Sequence, residues 1–324
     1  MSIRSLSLIV GLSSTIVIVS TLNAESAFAA ADENAYEEAL ELKKKEDYKK
    51  EITALDTAIK QNPNHAKAYR ERGTAHFCLG QFQKAIEDFT KSISLDASDP
   101  SAYVNRALVY QDTEELDKAL DDLNQAIKLN PNEGAAYFLR AMVYSRTGKL
   151  QNVIEDCNKM ISFNSKEPTI YWCRGDAYMK LRQFDKAVDD YSAALNLHQT
   201  FVSTALDPKH ACIYYNRGVA YGAMGEHEKA IADFSTAIKL DSKDVAYFNA
   251  RGVSYEQLGQ YDKAIADFGE AISIKPSALF FENRARVYDK TGKPDLSKSD
   301  KESAKKLDSQ KSDSQKSDKQ KEEN

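Results

Sequence analysis

The chain has 324 residues, of which 42% are hydrophobic and 29% are charged, a composition typical of globular proteins. Its 13 glycines and 7 prolines are too few for the many tight turns that an all-β protein requires. A net charge of −5 argues against nucleic acid as a partner, because nucleic-acid binding requires a basic surface.

The first 29 residues carry the features of a secretory signal peptide. MSIR supplies a positive charge, and the apolar run LSLIVGLSSTIVIVSTL follows it. Ala27, Phe28 and Ala29 match the small-x-small pattern of a cleavage site, and Ala29, Ala30 and Ala31 form a second one. We predict cleavage after Ala29 and export to the periplasm or the extracellular space. An uncleaved run would instead anchor the chain in the inner membrane, since it is near the lower length limit for a spanning helix.

Beyond the signal segment, one short pattern recurs seven times: an aromatic residue is followed three positions later by arginine. The arginines are Arg72, Arg106, Arg140, Arg174, Arg217, Arg251 and Arg284, at spacings of 34, 34, 34, 43, 34 and 33 residues. So regular a period indicates a protein built from repeated units.

Each period predicts two helices. The first carries an aromatic residue, a small residue four later and an aromatic residue three after that, as in Tyr214, Gly218 and Tyr221, and these positions share one helical face. The second has a bulky residue between small ones, as in Ala230 and Phe234, which lets two helices approach closely. Glycines mark the turn between the two helices at Gly80, Gly148, Gly225, Gly259 and Gly292.

This pattern resembles the tetratricopeptide repeat (TPR) family. The resemblance implies an all-α fold in which about eight helix–turn–helix repeats form a right-handed α-α superhelix. The expected units are a degenerate repeat at 32–65, then 66–99, 100–133, 134–167, 168–210 with an insertion near 198–210, 211–244, 245–277, and a capping repeat at 278–307. The polar segment 308–324 is predicted to be a disordered tail.

Each of the seven arginines is followed sixteen residues later by an aspartate, from Asp88 in the second unit to Asp300 in the last. A pair repeated in every unit cannot be a catalytic site, which would be unique. We therefore predict an interhelical ion pair between arginine and aspartate. The spacing leaves open whether the aspartate belongs to the same unit or to a neighbouring one.

Cysteine and histidine spacings predict neither a metal site nor a cofactor site. The four cysteines form no CxxC or Cys/His ligand pattern, and the five histidines share no motif. Cys173 and Cys212 lie on successive first helices, but neighbouring helices are usually 8–10 Å apart, farther than a disulfide allows. No nucleophile–base pair or phosphate-binding loop is recognisable, so we do not expect an enzyme.

The first helices carry an apolar surface near the middle of the array. In the TPR family, the position after the core aromatic residue and the position four later line the concave groove that binds extended peptides or partner helices. Here seven of the eight positions in the third to sixth repeats are apolar or aromatic, and the eighth is Asp176; the seven are Val104, Leu108, Phe138, Met142, Trp172, Tyr215 and Val219. We call this set the apolar stripe. Exposing it costs roughly 25 cal/mol per Å², so it predicts a partner site.

The sequence therefore predicts a non-enzymatic scaffold of the bacterial cell envelope or a secreted one, which binds a peptide or protein partner in an apolar groove. Three alternatives remain open. The stripe could be a homodimer interface, or the insertion, with Phe201, Val202 and Leu206, could cover it. An uncleaved signal segment would make the protein a membrane-anchored assembly factor, and only then is contact with a membrane expected.

Overall fold

The computed structural model describes residues 32–163, 166–201 and 210–322, the side chains of 198–201 and 311–322 excepted. The predicted signal peptide at 1–29 and residues 202–209 of the insertion lie outside these ranges. All regular secondary structure within them is helical, and the predicted all-α class is confirmed. None of the described helices is both long enough and apolar enough to cross a membrane.

The described residues form sixteen helices in succession. They are α1 at 32–44, α2 Tyr48–Gln61, α3 Ala66–Cys78, α4 Phe82–Leu95, α5 Pro100–Asp112, α6 Leu116–Leu129, α7 Gly134–Arg146, α8 Leu150–Ser162, α9 Pro168–Lys180, α10 Phe184–Phe201, α11 Ala211–Ala223, α12 His227–Leu240, α13 Val245–Gln257, α14 Tyr261–Ile274, α15 Ala278–Lys290 and α16 Pro294–Glu322. From α3 onwards, the odd-numbered members are the predicted first helices.

The chain divides into two compact units, Met1–Thr147 and Gly148–Asn324. In the first unit, each helix from α2 to α7 contacts the next, and the successive first helices α3, α5 and α7 also contact one another. In the second unit, each helix from α8 to α16 contacts the next, as do the first helices α9, α11, α13 and α15. Each unit is therefore a stack of helix pairs whose first helices share one side.

Close packing within a pair depends on a glycine facing an aromatic ring. A Cβ atom added at Gly252 in α13 would lie 2.8 Å from Cε1 of Phe268 in α14, closer than side chains tolerate. The same arrangement occurs at Gly73 with Phe89, Gly175 with Tyr191 and Gly218 with Phe234. Where the ring is replaced by Leu123, the first helix carries Ala107 instead. Residue size is thus matched across the pair.

The turns between paired helices place one residue in the left-handed region of backbone space. The five predicted turn glycines have φ between 69° and 81°, a conformation that glycine adopts without steric cost. Three turns hold a non-glycine residue there: Glu46 at φ 56°, Glu114 at 63° and Arg182 at 58°. The turn at Glu46 joins α1 to α2, so residues 32–65 fold as a helix pair although α1 is mostly charged.

The end of the chain and the insertion differ from a regular repeat. We predicted a disordered tail at 308–324, whereas α16 continues to Glu322. No glycine or proline interrupts the sequence after Pro294, and lysine, glutamate and glutamine are good helix formers. Ala304 is the last buried residue among the described side chains of α16. Part of the insertion lengthens α10, which has 18 residues against 14 in α12.

Candidate functional site

The repeated arginines link three helices through hydrogen bonds. Arg251 on α13 donates from Nε and Nη2 to the two carboxylate oxygens of Asp267 on α14, at 2.8 and 2.7 Å. Its Nη1 donates to Ser235 Oγ on α12, at 3.0 Å. The aspartate therefore comes from the same repeat, and the third contact reaches the preceding one. Planar guanidinium groups suit this two-pronged carboxylate contact.

The same two-pronged ion pair recurs in both compact units. It joins Arg72 with Asp88, Arg106 with Asp122, Arg174 with Asp190, Arg217 with Asp233 and Arg284 with Asp300. Contacts from Nη1 to the preceding second helix reach Asp56, Thr90, Asn124, Asn158 and Ser192. Arg140 belongs to the first unit and its predicted partner Asp156 to the second. These ion pairs hold repeats in register and account for the arginine pattern without catalysis.

In the first unit, four residues of the apolar stripe lie on the neighbouring helices α5 and α7. Val104 is only 9% exposed and belongs to the core cluster that contains Tyr103 and Leu123. Leu108 and Phe138 are partly buried, whereas Met142 is 40% exposed. In this unit the stripe therefore includes a buried core residue, Val104, and an exposed residue, Met142, which has the largest exposed fraction of the four.

In the second unit, the stripe comprises Trp172 on α9 and Tyr215 and Val219 on α11, two helices in contact. Trp172 is partly buried against the core cluster that contains Tyr191. The Tyr215 ring lies 5.8 Å from the ring of Phe234, centroid to centroid. Both aromatic side chains are thus anchored by packing and keep part of their surface open. That combination gives a rigid, partly apolar surface on adjacent first helices.

A polar network that sequence reasoning did not single out lies beside Trp172. Asp176, one turn further along α9, accepts hydrogen bonds at Oδ1 from Tyr191 Oη at 2.7 Å and from Asn216 Nδ2 at 3.1 Å. Burial raises the pKa of the Asp176 carboxyl despite these hydrogen bonds. A signal was present in the sequence, since Tyr191 stands where Phe234 and Phe268 occupy other repeats. A buried tyrosine hydroxyl needs a partner.

Two other buried carboxylates on the first helices have cationic partners. Glu71 on α3 pairs with Lys43 at 2.5 Å and with Arg70 at 2.9 Å. Glu256 on α13, whose side chain is 1% exposed, pairs with Arg286 at 2.7 Å and Lys290 at 2.9 Å. Burial would raise the pKa of Glu71, but its two partners outweigh burial and lower it. The hydrogen bond from Arg286 likewise lowers the pKa of Glu256.

All four cysteines are free thiols. A hydrogen bond with Cys173 on α9, together with burial, raises the pKa of Cys157 on α8. Cys173 therefore interacts with a thiol of the preceding helix. Within the described parts of the chain, no group of three histidine, cysteine or acidic residues could hold a metal ion.

Comparison with known proteins identifies the repeat. A tetratricopeptide repeat model matches residues 66–99, 100–133, 211–244 and 245–277, and a second model of the same repeat matches 168–201. The units predicted at 32–65, 134–167 and 278–307 lie outside these matches. None of the curated protein sequences matches the chain.

Three solved structures show the same fold. YrrB, a TPR protein with an unusual peptide-binding site, is 21% identical with a TM-score of 0.53, over 59% of this chain and 94% of YrrB. A tetratricopeptide repeat protein from Parabacteroides merdae is 19% identical with a TM-score of 0.54, over 83% of this chain and 99% of its own. The C-terminal part of a TPR repeat-containing protein from Cytophaga hutchinsonii is 16% identical with a TM-score of 0.62, over 74% and 95%.

At these identities the likeness to solved structures concerns the fold alone. The repeat matches, the paired helices and the turn residues spaced at the same period agree with one another. The chain belongs to the tetratricopeptide repeat family.

Proposed function

We propose that this protein is a non-enzymatic scaffold that binds a peptide or partner segment across its first helices. One observation carries the proposal: Trp172 and Tyr215 lie on adjacent helices with their rings anchored by packing and part of their surface open. Aromatic side chains of this kind give large contact areas at a low cost in conformational entropy. YrrB, which shares the fold, has a peptide-binding site.

The single tryptophan of the chain provides the readout, because it lies in the proposed site. Peptides selected from a phage-displayed random library should shift the emission of Trp172 when they bind to the full protein. Unchanged emission with every bound peptide would place the site elsewhere on the chain.

Two positions on and after α11 provide a pair of variants within one compact unit. Val219 belongs to the stripe and is partly exposed, and Met224, which follows α11 and lies outside the stripe, is 42% exposed. Val219→Glu should weaken binding about tenfold or more, because a carboxylate would enter an apolar contact. Met224→Glu should bind like the wild type, and thermal unfolding should show that both variants are folded. Equal affinity of the two variants would contradict a role for the stripe, and a change in sedimentation with Val219→Glu would point to self-association.

We further propose that the mature protein is exported, on the strength of the apolar run and the small-residue sites that follow it. N-terminal sequencing of the protein from its own cells should begin at Ala30. A chain that still begins at Met1 or Ser2 would be the membrane-anchored form.

A further inference from the structure

Asp176 is a partly buried carboxylate without a cationic partner among the residues that the structure describes. Its two hydrogen bonds come from neutral groups, the Tyr191 hydroxyl and the Asn216 amide, and both fall on Oδ1. Among the described residues no ion pair reaches it. Lys180, an exposed residue one turn along the same helix, lowers the pKa of Asp176 by its charge but forms no ion pair with it. An ionised carboxylate removed from water and left without a cation is unfavourable.

The other two carboxylates on first helices described above have the cationic partners that Asp176 lacks within the described chain. Glu71 and Glu256 each contact two cationic side chains, and their pKa values are lowered. At Asp176 burial prevails and the pKa is raised. The difference is that no cationic side chain in the described ranges pairs with Asp176, which stays partly exposed and contacts Asn216 of α11.

The surroundings of Asp176 are aromatic. The indole N–H of Trp172, one turn earlier on α9, lies near enough to the carboxyl group to lower its pKa; it is shielded from solvent and has no well-formed hydrogen bond to any described residue. Asn216, which contacts Asp176, directly follows Tyr215 on α11. A carboxylate beside the Trp172 indole, with Tyr215 presented by the helix that carries its Asn216 partner, suits a side chain with a charged end and an apolar stem.

We propose that the segment bound by this protein carries a lysine or arginine that pairs with Asp176, next to apolar residues that pack on Trp172 and Tyr215. The proposal rests on the binding function proposed above and specifies the partner's chemistry. The ammonium or guanidinium group would supply the charge that Glu71 and Glu256 receive from their own chain. The apolar neighbours would cover the open surfaces of the two rings.

The test is a parallel selection of peptides from a phage-displayed random library on the full-length wild type and on Asp176→Asn. Wild-type peptides should be enriched in lysine or arginine beside aromatic or aliphatic residues. The asparagine variant should select apolar peptides without that enrichment. A wild-type peptide containing lysine should bind Asp176→Asn about 10- to 100-fold more weakly, the range expected for hydrogen bonds between charged groups. Its norleucine analogue should bind both proteins equally.

Tyr191→Phe is the control for altered packing, because it removes the hydroxyl that donates to Asp176 and leaves the carboxylate in place. That variant should keep the selection for basic residues. Equal enrichment on the wild type and Asp176→Asn, or apolar peptides alone on the wild type, would overturn the basic-residue proposal and leave the scaffold function standing. Recovery of no peptide by the wild type would overturn both.

Discussion

Replacing Glu51 with alanine is expected to stabilise the protein above neutral pH. Glu51 lies on α2 with 1% of its surface exposed, and neither carboxylate oxygen has a hydrogen-bond partner among the described residues. Burial raises its pKa to about 7, Lys43 opposes that shift, and Glu71 adds to it. The equivalent position in five other repeats holds alanine: Ala85, Ala119, Ala187, Ala230 and Ala264.

The sign of the pH dependence follows from the direction of this shift. In the unfolded chain Glu51 loses its proton near the ordinary glutamate pKa of 4.5, whereas in the folded protein it keeps the proton to about pH 7. The folded state therefore binds more protons between these values, so its stability falls as pH rises through that window and is constant above it. At 1.36 kcal/mol per pKa unit, discounted because the first repeat is close to solvent, the penalty is about 1–3 kcal/mol.

Urea unfolding followed by circular dichroism at pH 5 and pH 8 measures the effect, and amide exchange in α1 to α3 assigns it to the first repeat. Glu51→Ala should raise the midpoint at pH 8 and bring little or no gain at pH 5, where the wild-type side chain is mostly neutral. Glu38→Ala, an exposed substitution in the same repeat, should change neither midpoint. A lower midpoint for Glu51→Ala at pH 8 would refute the reasoning, because it would mean that the ionised carboxylate has a stabilising partner.

Two further predictions concern glycines. Gly252→Ala should cost about 1–3 kcal/mol, because its Cβ would lie 2.8 Å from the buried ring of Phe268. Adding Phe268→Leu should relieve that clash, but it should not help Gly259→Ala, which meets no atom within 4 Å and costs about 1 kcal/mol through its φ of +69°. Additive effects of Gly252→Ala and Phe268→Leu in a double-mutant cycle would argue against the clash. Gly269→Ser should stabilise the last repeats by about 0.5–1.5 kcal/mol, since a hydroxyl there can accept from Arg284 Nη1; an unchanged melting temperature would contradict this.

The fold could be predicted from the sequence because the same residue pattern recurs in successive repeats. A single glycine such as Gly252 is ambiguous alone, but glycine or alanine at that position in successive units identifies a helix face. The turn at Arg182 carries no glycine and was not among the predicted turns, yet it lies one 34-residue period after Gly148. Repetition of the pattern therefore identifies helices and turns where the residues of a single repeat would leave them ambiguous.

Contacts between repeats were harder to predict, because they depend on which side chains meet across helices. The ion pair of Arg251 with Asp267 was expected, but its third contact, with Ser235, requires knowing how α12 lies against α13. The burial of Trp172 was hard to predict for the same reason, because it also depends on contacts between helices. Its position one residue beyond the core aromatic predicts exposure, yet the indole is partly buried because the neighbouring cluster leaves room for it.

Glu51 and Asp176 are two carboxyl groups that depart from the repeat pattern, and the consequences of the two departures differ. Both are carboxyl groups that burial disfavours in the ionised form and that form no ion pair within the described part of the chain. Glu51 is closed to solvent, so no external group can reach it and its charge only lowers stability. Asp176 is partly exposed, so a partner's cation can offset its burial at the moment of binding. If this reasoning holds, Glu51→Ala stabilises the protein without affecting peptide binding, whereas Asp176→Asn removes selection for basic peptides whatever its effect on stability.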